Sequence, residues 1–524
     1  MARVDSASIR RPRGADARHS MTPDSRGQRL GAIQIAFLLA AVIACRWAAV
    51  RACPTYDDAF ITYRYAANLA AGNGLVFNAG APWEPVLGTT TLLYSLVMAT
   101  FAKLGFGLVS ASLVFDIACD VVSAWLLVRL LRARPVAASA AVLGFAALPE
   151  LARISVGGME SPLFLVCALG ACVAADARRP GLAGWLAAAT CLVRPEGILL
   201  AAILFLAQAR KPKDLVRFTL PIFVVGVLAV AVLTYVYGTP IPQSVTAKSA
   251  MQGPDPAAEK SARFLTILRQ SFLPRTVYAA AVPFALIGVW RALRGSGSVR
   301  TSSALRSFSL FALGISASYL VARPHTWGWY YFVPLTAWVV WIALGVESVW
   351  RACARRAGPA LAHVVDSFLP QAASVAIACL AFFAASRQVS PIPSAVYAPL
   401  WDWAERTSTA EPGARILASD IGAIGHRWKG TVLDSEGLTW PDALLHKFPT
   451  VMIERSRPEY LMVVAERPRL RHLAERPDLM AEYEPIARFN ATGSTELHLA
   501  PEDVPMEWSQ DYLIYRRKPE HKTE

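Results

Sequence analysis

The adjacent carboxylates Asp57 and Asp58 have the type and spacing to do acid–base work. They precede YRYAANLAAG, whose spacing predicts a helix that Thr55 or Asp58 can cap and Gly72 can end. The dipole of such a helix favours an ionised carboxyl at its start, ready to accept a proton. Two neighbouring acids can also share a proton, or hold a divalent cation (Mg or Mn). The same pair suits an ordinary helix cap, so chemistry requires partners. Arg64, Arg194, Lys248 and Arg323 stand apart from the basic clusters of the chain. Arg can grip phosphate oxygens with two parallel hydrogen bonds and Lys meets them as a point charge, although each could instead reach from an interface toward water. Glu84, Glu160, Glu196 and His325 could hydrogen-bond a ligand, and equally suit solvated loops. Asp116 and Asp120 lie one helical turn apart in an apolar run, where acids line a cavity or pair across helices.

The elements that must position these groups are membrane helices. Of the 524 residues, 55% are hydrophobic and 17% charged, and the mean hydropathy is +0.38, which excludes an ordinary water-soluble globular protein. Apolar runs predict about eleven spans, near 31–50, 108–131, 135–152, 161–177, 181–194, 196–209, 215–238, 274–292, 303–322, 330–349 and 369–387. A net charge of +14 raises nucleic acid as a partner until it is resolved along the chain. Up to residue 388 there are 36 Lys and Arg against 17 Asp and Glu, and beyond it 16 against 21. The surplus lies in the hydrophobic part, so nucleic acid is not expected. With alternating spans, the Arg-rich start and the clusters at Arg129/Arg132/Arg134, Arg178/Arg179, Arg210/Lys211/Lys213, Arg291/Arg294/Arg300 and Arg351/Arg355/Arg356 all fall on one side. The positive-inside rule makes that side cytoplasmic.

A further apolar run, GTTTLLYSLVMATFAKLG from Gly88, would break this alternation if it crossed, and reads as an interfacial or re-entrant helix. The runs flanking Arg194-Pro195-Glu196 are short for spans and read as a broken hairpin meeting at the outer surface, the alternative being one long helix kinked at Pro195. Eight cysteines show neither a CxxC pair nor metal-ligand spacing. Beyond residue 388, strands are expected at 414–419, 430–433 and 460–464. The expected fold is an all-α polytopic membrane protein with a small C-terminal external α/β domain. It divides into a basic cytoplasmic segment 1–30, a transmembrane domain 31–388 that includes an external loop 51–107 carrying the acids, and an external (periplasmic) domain 389–524.

Tyr56-Asp57-Asp58-Ala59-Phe60-Ile61, Arg64-Tyr65-Ala66 and Gly72-Asn73-Gly74-Leu75-Val76-Phe77-Asn78 resemble the first external loop of the GT-C superfamily of polytopic glycosyltransferases, above all its bacterial arabinofuranosyltransferase-like branch. The resemblance continues through Gly157-Gly158-Met159-Glu160-Ser161, Leu192-Val193-Arg194-Pro195-Glu196-Gly197, Gly238-Thr239-Pro240-Ile241-Pro242-Gln243 with Lys248, and Trp329-Tyr330-Tyr331-Phe332-Val333-Pro334. It ends in Asp420-Ile421-Gly422-Ala423-Ile424-Gly425, Val432-Leu433-Asp434 and Gly437-Leu438. At Ala81-Pro82-Trp83-Glu84-Pro85 the chain keeps the Glu of the branch and lacks its Tyr-Thr pair, so no particular substrate carries over.

The resemblance implies a GT-C fold in a bacterial plasma membrane, with the N-terminus cytoplasmic. It implies inverting transfer of a sugar from a polyprenyl-phosphate donor to an envelope glycan, lipid or protein acceptor on the external face. It also implies Asp57 as general base and Asp58 as its orienting neighbour or a metal ligand. On that reading Arg64, Glu84, Glu160, Arg194, Glu196, Lys248, Arg323, His325 and Tyr330 are the substrate-binding candidates. A polyprenyl-linked-glycan transporter or flippase, or a non-catalytic envelope-assembly protein, would share the hydropathy. A transporter should also show related halves, which the sequence lacks.

Overall fold

The computed structural model describes residues 30–52, 55–80, 84–208, 212–250, 275–294, 302–322, 328–357, 396–445, 449–464, 476–490 and 511–519. Arg323, His325 and the expected span at 369–387 lie outside these residues, as does the side chain of Lys248. Along the chain run α1 (Ala32–Ala52), α2 (Asp57–Ala70), α3 (Leu92–Lys103), α4 (Leu108–Leu130), α5 (Pro135–Ala147), α6 (Pro149–Val156), α7 (Ser161–Asp176), α8 (Pro180–Val193), α9 (Gly197–Gln208), α10 (Pro212–Tyr237), α11 (Gln243–Ala250), α12 (Arg275–Arg294), α13 (Ser303–Ala322) and α14 (Phe332–Ala357).

Among the described residues five helices, α1, α4, α10, α13 and α14, are long and apolar enough to cross a membrane, and six if the pair α5 and α6, bent by 60°, forms one span. The expected eleven are therefore not reached. Helices α7, α8 and α9 have 16, 14 and 12 residues, so they extend only ~24, ~21 and ~18 Å against a hydrocarbon core of about 30 Å. Proline accounts for the breaks. Leu148 before Pro149 and Arg194 before Pro195 are extended, with ψ 115° and 141°, because the ring of the following proline disfavours the helical region. The run at Gly88 forms the 12-residue α3, too short to cross, as its interfacial reading requires.

Residues of two basic clusters pair with acids of neighbouring helices. Arg132 pairs with Asp176 at 3.5 Å, and Ser303 donates to Asp176 through N and Oγ at 2.9 and 2.7 Å. Glu347 of α14 is bonded by Arg351 at 2.6 Å and faces Arg134 at 3.6 Å. The turns bearing Asp57, Glu160, Arg194 and Trp329 gather at another locus, joined by contacts described below.

Asp120 belongs to the scaffold. Its Oδ2 accepts Arg46 Nε at 2.5 Å and Ser155 Oγ at 2.5 Å, with both charged residues fully buried. Arg46 also donates to Ala146 O and Phe145 O at 2.9 and 3.1 Å. These carbonyls lie in the last turn of α5, where no helical N–H follows to bond them. The pair thus ties α1 and α4 to the kink at Pro149. Arg46→Met should destabilise the protein by about 3–5 kcal/mol, because it strands a buried carboxylate. Arg46→Met with Asp120→Leu should recover most of that loss in denaturant unfolding. Equal stability of the single and double variants would contradict the assignment.

The C-terminal part is a mixed five-stranded sheet of order β2-β1-β3-β5-β4. Strands β1 (Arg415–Ala418), β2 (Thr431–Asp434) and β3 (Tyr460–Val464) match the three expected from sequence. They are parallel, whereas β4 (Tyr483–Asn490) and β5 (Asp511–Arg517) add antiparallel pairings. Helix α15 (Ala398–Ala410) precedes the sheet and α16 (Gly422–Arg427) links β1 to β2. Helix α2 serves both cores. Ala59, Phe60, Tyr63 and Ala66 face the membrane helices, while Ile61 and Tyr65 join Phe77 in the apolar core of the sheet domain. Spacings of three and four residues place each set on one face of α2.

Candidate active site

Asp57 sits where α2 meets the sheet domain. The residue before the helix is Tyr56, in extended conformation, and no side chain caps α2. The expected cap by Thr55 or Asp58 is therefore not made. Gly72 closes the other end as expected, with φ +87° and its N–H on Leu69 O at 3.1 Å. The Asp57 carboxylate instead accepts from the next domain, with Gly422 N on Oδ2 at 2.9 Å and Ala423 N on Oδ1 at 2.8 Å. Burial raises its pKa to about 7, helped by the charges of Asp420 and Asp58 and opposed by the two amide bonds. Asp420 in turn accepts the Tyr512 hydroxyl at 2.8 Å.

Glycine permits this approach. A Cβ on Gly422 would lie 1.8 Å from the Asp57 carbonyl oxygen, whereas one on Gly413 would meet nothing within 4 Å. Overpacking costs roughly 1–3 kcal/mol, and a backbone obstacle cannot rotate away. Gly422→Ala should therefore loosen the joint, with faster amide exchange in α2 and faster limited proteolysis, and Gly413→Ala should not. Matching behaviour of the two variants would remove α16 from the site.

Arg64 is a pin of the same joint. Its Nε donates to Phe77 O at 2.6 Å, one terminal nitrogen donates to Gly425 O and Trp428 O, and the other donates to Asn78 Oδ1 and Gly430 O. These bonds use all five guanidinium donors, so Arg64 leaves the set of phosphate candidates. Asn78 pairs with Val432, accepting its N–H at 3.2 Å and donating to its O at 2.8 Å. The Asp434 oxygens accept the amides of Glu436 and Thr439 at 2.9 and 2.7 Å, and burial raises its pKa to about 7. That turn presents Gly437 O to Gln243 Nε2 at 3.3 Å, next to Leu87 O, which accepts Gln243 N at 2.7 Å. The motif residues of the tail therefore grip the motif residues of the first loop. Glu84 is exposed, and Lys248 lies in α11, whose first residue is held at this joint.

A second cluster gathers four residues expected from sequence. Arg194 is buried and bonds Glu160 Oε1 at 2.5 Å and Glu196 Oε1 at 2.8 Å. The Tyr319 hydroxyl donates to the same Glu196 oxygen at 2.8 Å, and the guanidinium lies 4.4 Å from the Tyr330 ring centre. Aromatic contacts connect this cluster to Asp57. Tyr56 packs on Trp329 with ring centres 5.1 Å apart, and Tyr56 N donates to Gly157 O at 2.9 Å. Gly157 and Gly158 keep the space beside Tyr56 and Tyr63 open, since a Cβ on either would lie 2.2 Å from those side chains. Asp116 supports the turn, with the Tyr94 hydroxyl 3.1 Å from Asp116 Oδ2 and 3.1 Å from Gly158 O. Sequence reasoning missed Tyr319 and Tyr512, which lie in an apolar helix and an unexpected strand. Asp420 stood out through its motif and its place after an expected strand.

Among the described residues no three His, Cys, Asp or Glu side chains are grouped to hold a metal ion. Each Asp57 oxygen receives one backbone amide, which leaves each oxygen one further acceptor position.

The architecture is that of a polytopic membrane scaffold joined through α2 to an α/β domain. It is similar to ArnT from Cupriavidus metallidurans bound to undecaprenyl phosphate, with a TM-score of 0.58 at 12% identity, over 93% of this chain and 98% of that one. ArnT in the apo state gives 0.56 at 13% identity, over 92% and 97%. The arabinofuranosyltransferase AftD from Mycobacteria gives 0.46 at 15% identity, over 94% of this chain and 42% of AftD. In sequence, a family model described as a domain of unknown function (DUF8728) matches residues 393–515. No curated protein matches. The chain thus shares the full-length fold of ArnT, in keeping with the GT-C resemblance of its motifs.

Proposed function

We propose that the protein is a membrane glycosyltransferase that transfers a sugar from a polyprenyl-phosphate donor to an acceptor hydroxyl of an envelope glycan, lipid or protein. The observation that carries this reading is the convergence of a half-buried Asp57, its pKa raised to about 7, with the Arg194 cluster across the Tyr56–Trp329 contact. A group of that pKa is poised to take a proton at neutral pH. The likeness to a protein that holds undecaprenyl phosphate supports the choice of donor.

In the proposed reaction the acceptor oxygen attacks the anomeric carbon while Asp57 takes the hydroxyl proton. The bond from that carbon to the phosphate oxygen breaks, and the carrier phosphate leaves with the electron pair, inverting the configuration. Arg194, with two of its five donors on carboxylates, is the cation best placed to meet that charge. The basic clusters support a cytoplasmic N-terminus and an external active site, with the α/β domain from residue 389 also outside. The amides on Asp57 favour a second, purely structural reading, but a carboxylate offers about four acceptor positions and two remain. The test is transfer by the purified protein from polyprenyl-phosphate sugars to glycan acceptors, comparing wild type with Asp57→Asn.

A further inference from the structure

In open sheets with parallel strands, ligands bind outside the carboxyl ends of the strands, where the strand order reverses. Here the order β2-β1-β3 reverses at β1. The residues beyond β1 and β2 are those that meet α2 and the segment before α3. Gly422 and Ala423 bond Asp57, and the Asp434 turn closes on Gly88, where a Cβ would lie 2.7 Å from Leu438 O. The edge at which such a sheet presents a ligand is thus turned onto α2.

We propose that this edge is one wall of the catalytic centre, in which Asp420 and Tyr512 are positioning residues that set Asp57 for proton transfer. The proposal rests on the reading of Asp57 as the base. It gives the C-terminal domain a part in the chemistry itself. Asp420 lies two residues before Gly422 on the same turn. Tyr512, on β5, fixes it by a hydroxyl donated to Oδ2 at 2.8 Å and stands 3.5 Å from the Tyr397 hydroxyl on the other side. A shift of β5 or of α15 therefore moves the carboxylate that faces Asp57.

The charged and titratable groups around Asp57 come from every element of the joint. Asp58 stands beside it on α2, and Asp420 and Tyr512 approach from the sheet. His426 of α16 packs farther off against the Phe60 and Tyr63 rings, and Arg153 of α6 lies over the Tyr56 ring. Arg64 is turned to the carbonyls of the tail. Of these, the two acids oppose ionisation of Asp57, with Asp420 the stronger. Removing the Asp420 charge should make Asp57 easier to ionise.

The test needs no substrate. In the full chain in detergent, dicyclohexylcarbodiimide modifies protonated carboxyls, and mass spectrometry of the Asp57 peptide across pH reads its midpoint. The wild type should lose labelling with a midpoint at about 7. Asp420→Asn should move that midpoint down by roughly one unit, which is about tenfold less labelling above pH 7. Tyr512→Phe should move it the same way by less, since the hydroxyl holds the Asp420 carboxylate in place. An unchanged midpoint in either variant, with melting as in wild type, overturns the proposal. If Asp420→Asn fails to fold, Tyr512→Phe, which keeps the ring, decides alone. Moved midpoints together with wild-type transfer by Asp57→Asn would show instead that the base had been misassigned.

Discussion

On the proposed function, Asp57→Asn should lower sugar transfer by about 10²–10⁴-fold, the range over which a positioned general base acts. Asn keeps the shape and one oxygen, so one of the amides of Gly422 and Ala423 keeps its acceptor while the other faces an NH2 group, and the proton acceptor is gone. The wild-type rate should also carry the titration of Asp57, falling about tenfold per pH unit below about 7 and levelling above it. Stability should run the opposite way. The folded pKa, about 7, lies above the ordinary aspartate value of 3.8. The stability tied to the protonated carboxyl is therefore present below about pH 4 and is lost as pH rises to about 7. Asp57→Asn has no such loss, so its melting temperature relative to wild type should rise between pH 4 and 7 and then stay level. Transfer within threefold of wild type, with the acidic limb still present, would exclude Asp57 as the base.

Much of the site was legible because its chemistry is local in sequence. Asp57 and Asp58 stand at a helix start, and Glu160, Arg194, Glu196 and Tyr330 each lie in a short motif at a helix end. Three of the five strands were legible from apolar, β-branched runs. What could not be read depends on partners far apart in the chain. Arg64 looked like a free cation in a loop, and its carbonyl partners lie some 360 residues away, at Gly425 and Trp428. Arg46 drew no attention in an apolar run, although it is the counterion of Asp120. Thr55 and Asp58 have the right chemistry for a cap, but the fold spends the neighbouring carboxylate on capping a different helix. The expected eleven spans stand against five or six helices long and apolar enough to cross among the described residues. The runs around Pro195, short for spans in the sequence, form helices of 14 and 12 residues.

Arg194→Gln should destabilise the fold by about 3–5 kcal/mol, because it leaves the buried Glu160 and the partly buried Glu196 without their cation. That loss alone would not separate scaffold from site. Arg194→Lys separates them. Lysine keeps the positive charge between the acids, so most of the stability should return, but it lacks the planar fork that grips a phosphate with two bonds. Undecaprenyl phosphate should therefore protect the wild type from heat, by about 2.7 kcal/mol when the lipid is at a hundred times its Kd. Protection of Arg194→Lys should be much weaker at the same lipid concentration. A lipid that is neutral at the head, undecaprenol, should protect neither, since Arg194 then has no anion to meet. Equal protection of Arg194→Lys and wild type would confine Arg194 to the scaffold. The phosphate would then have to be met by a cation outside the Glu160–Arg194–Glu196 cluster, with Lys248 on α11 the next to test.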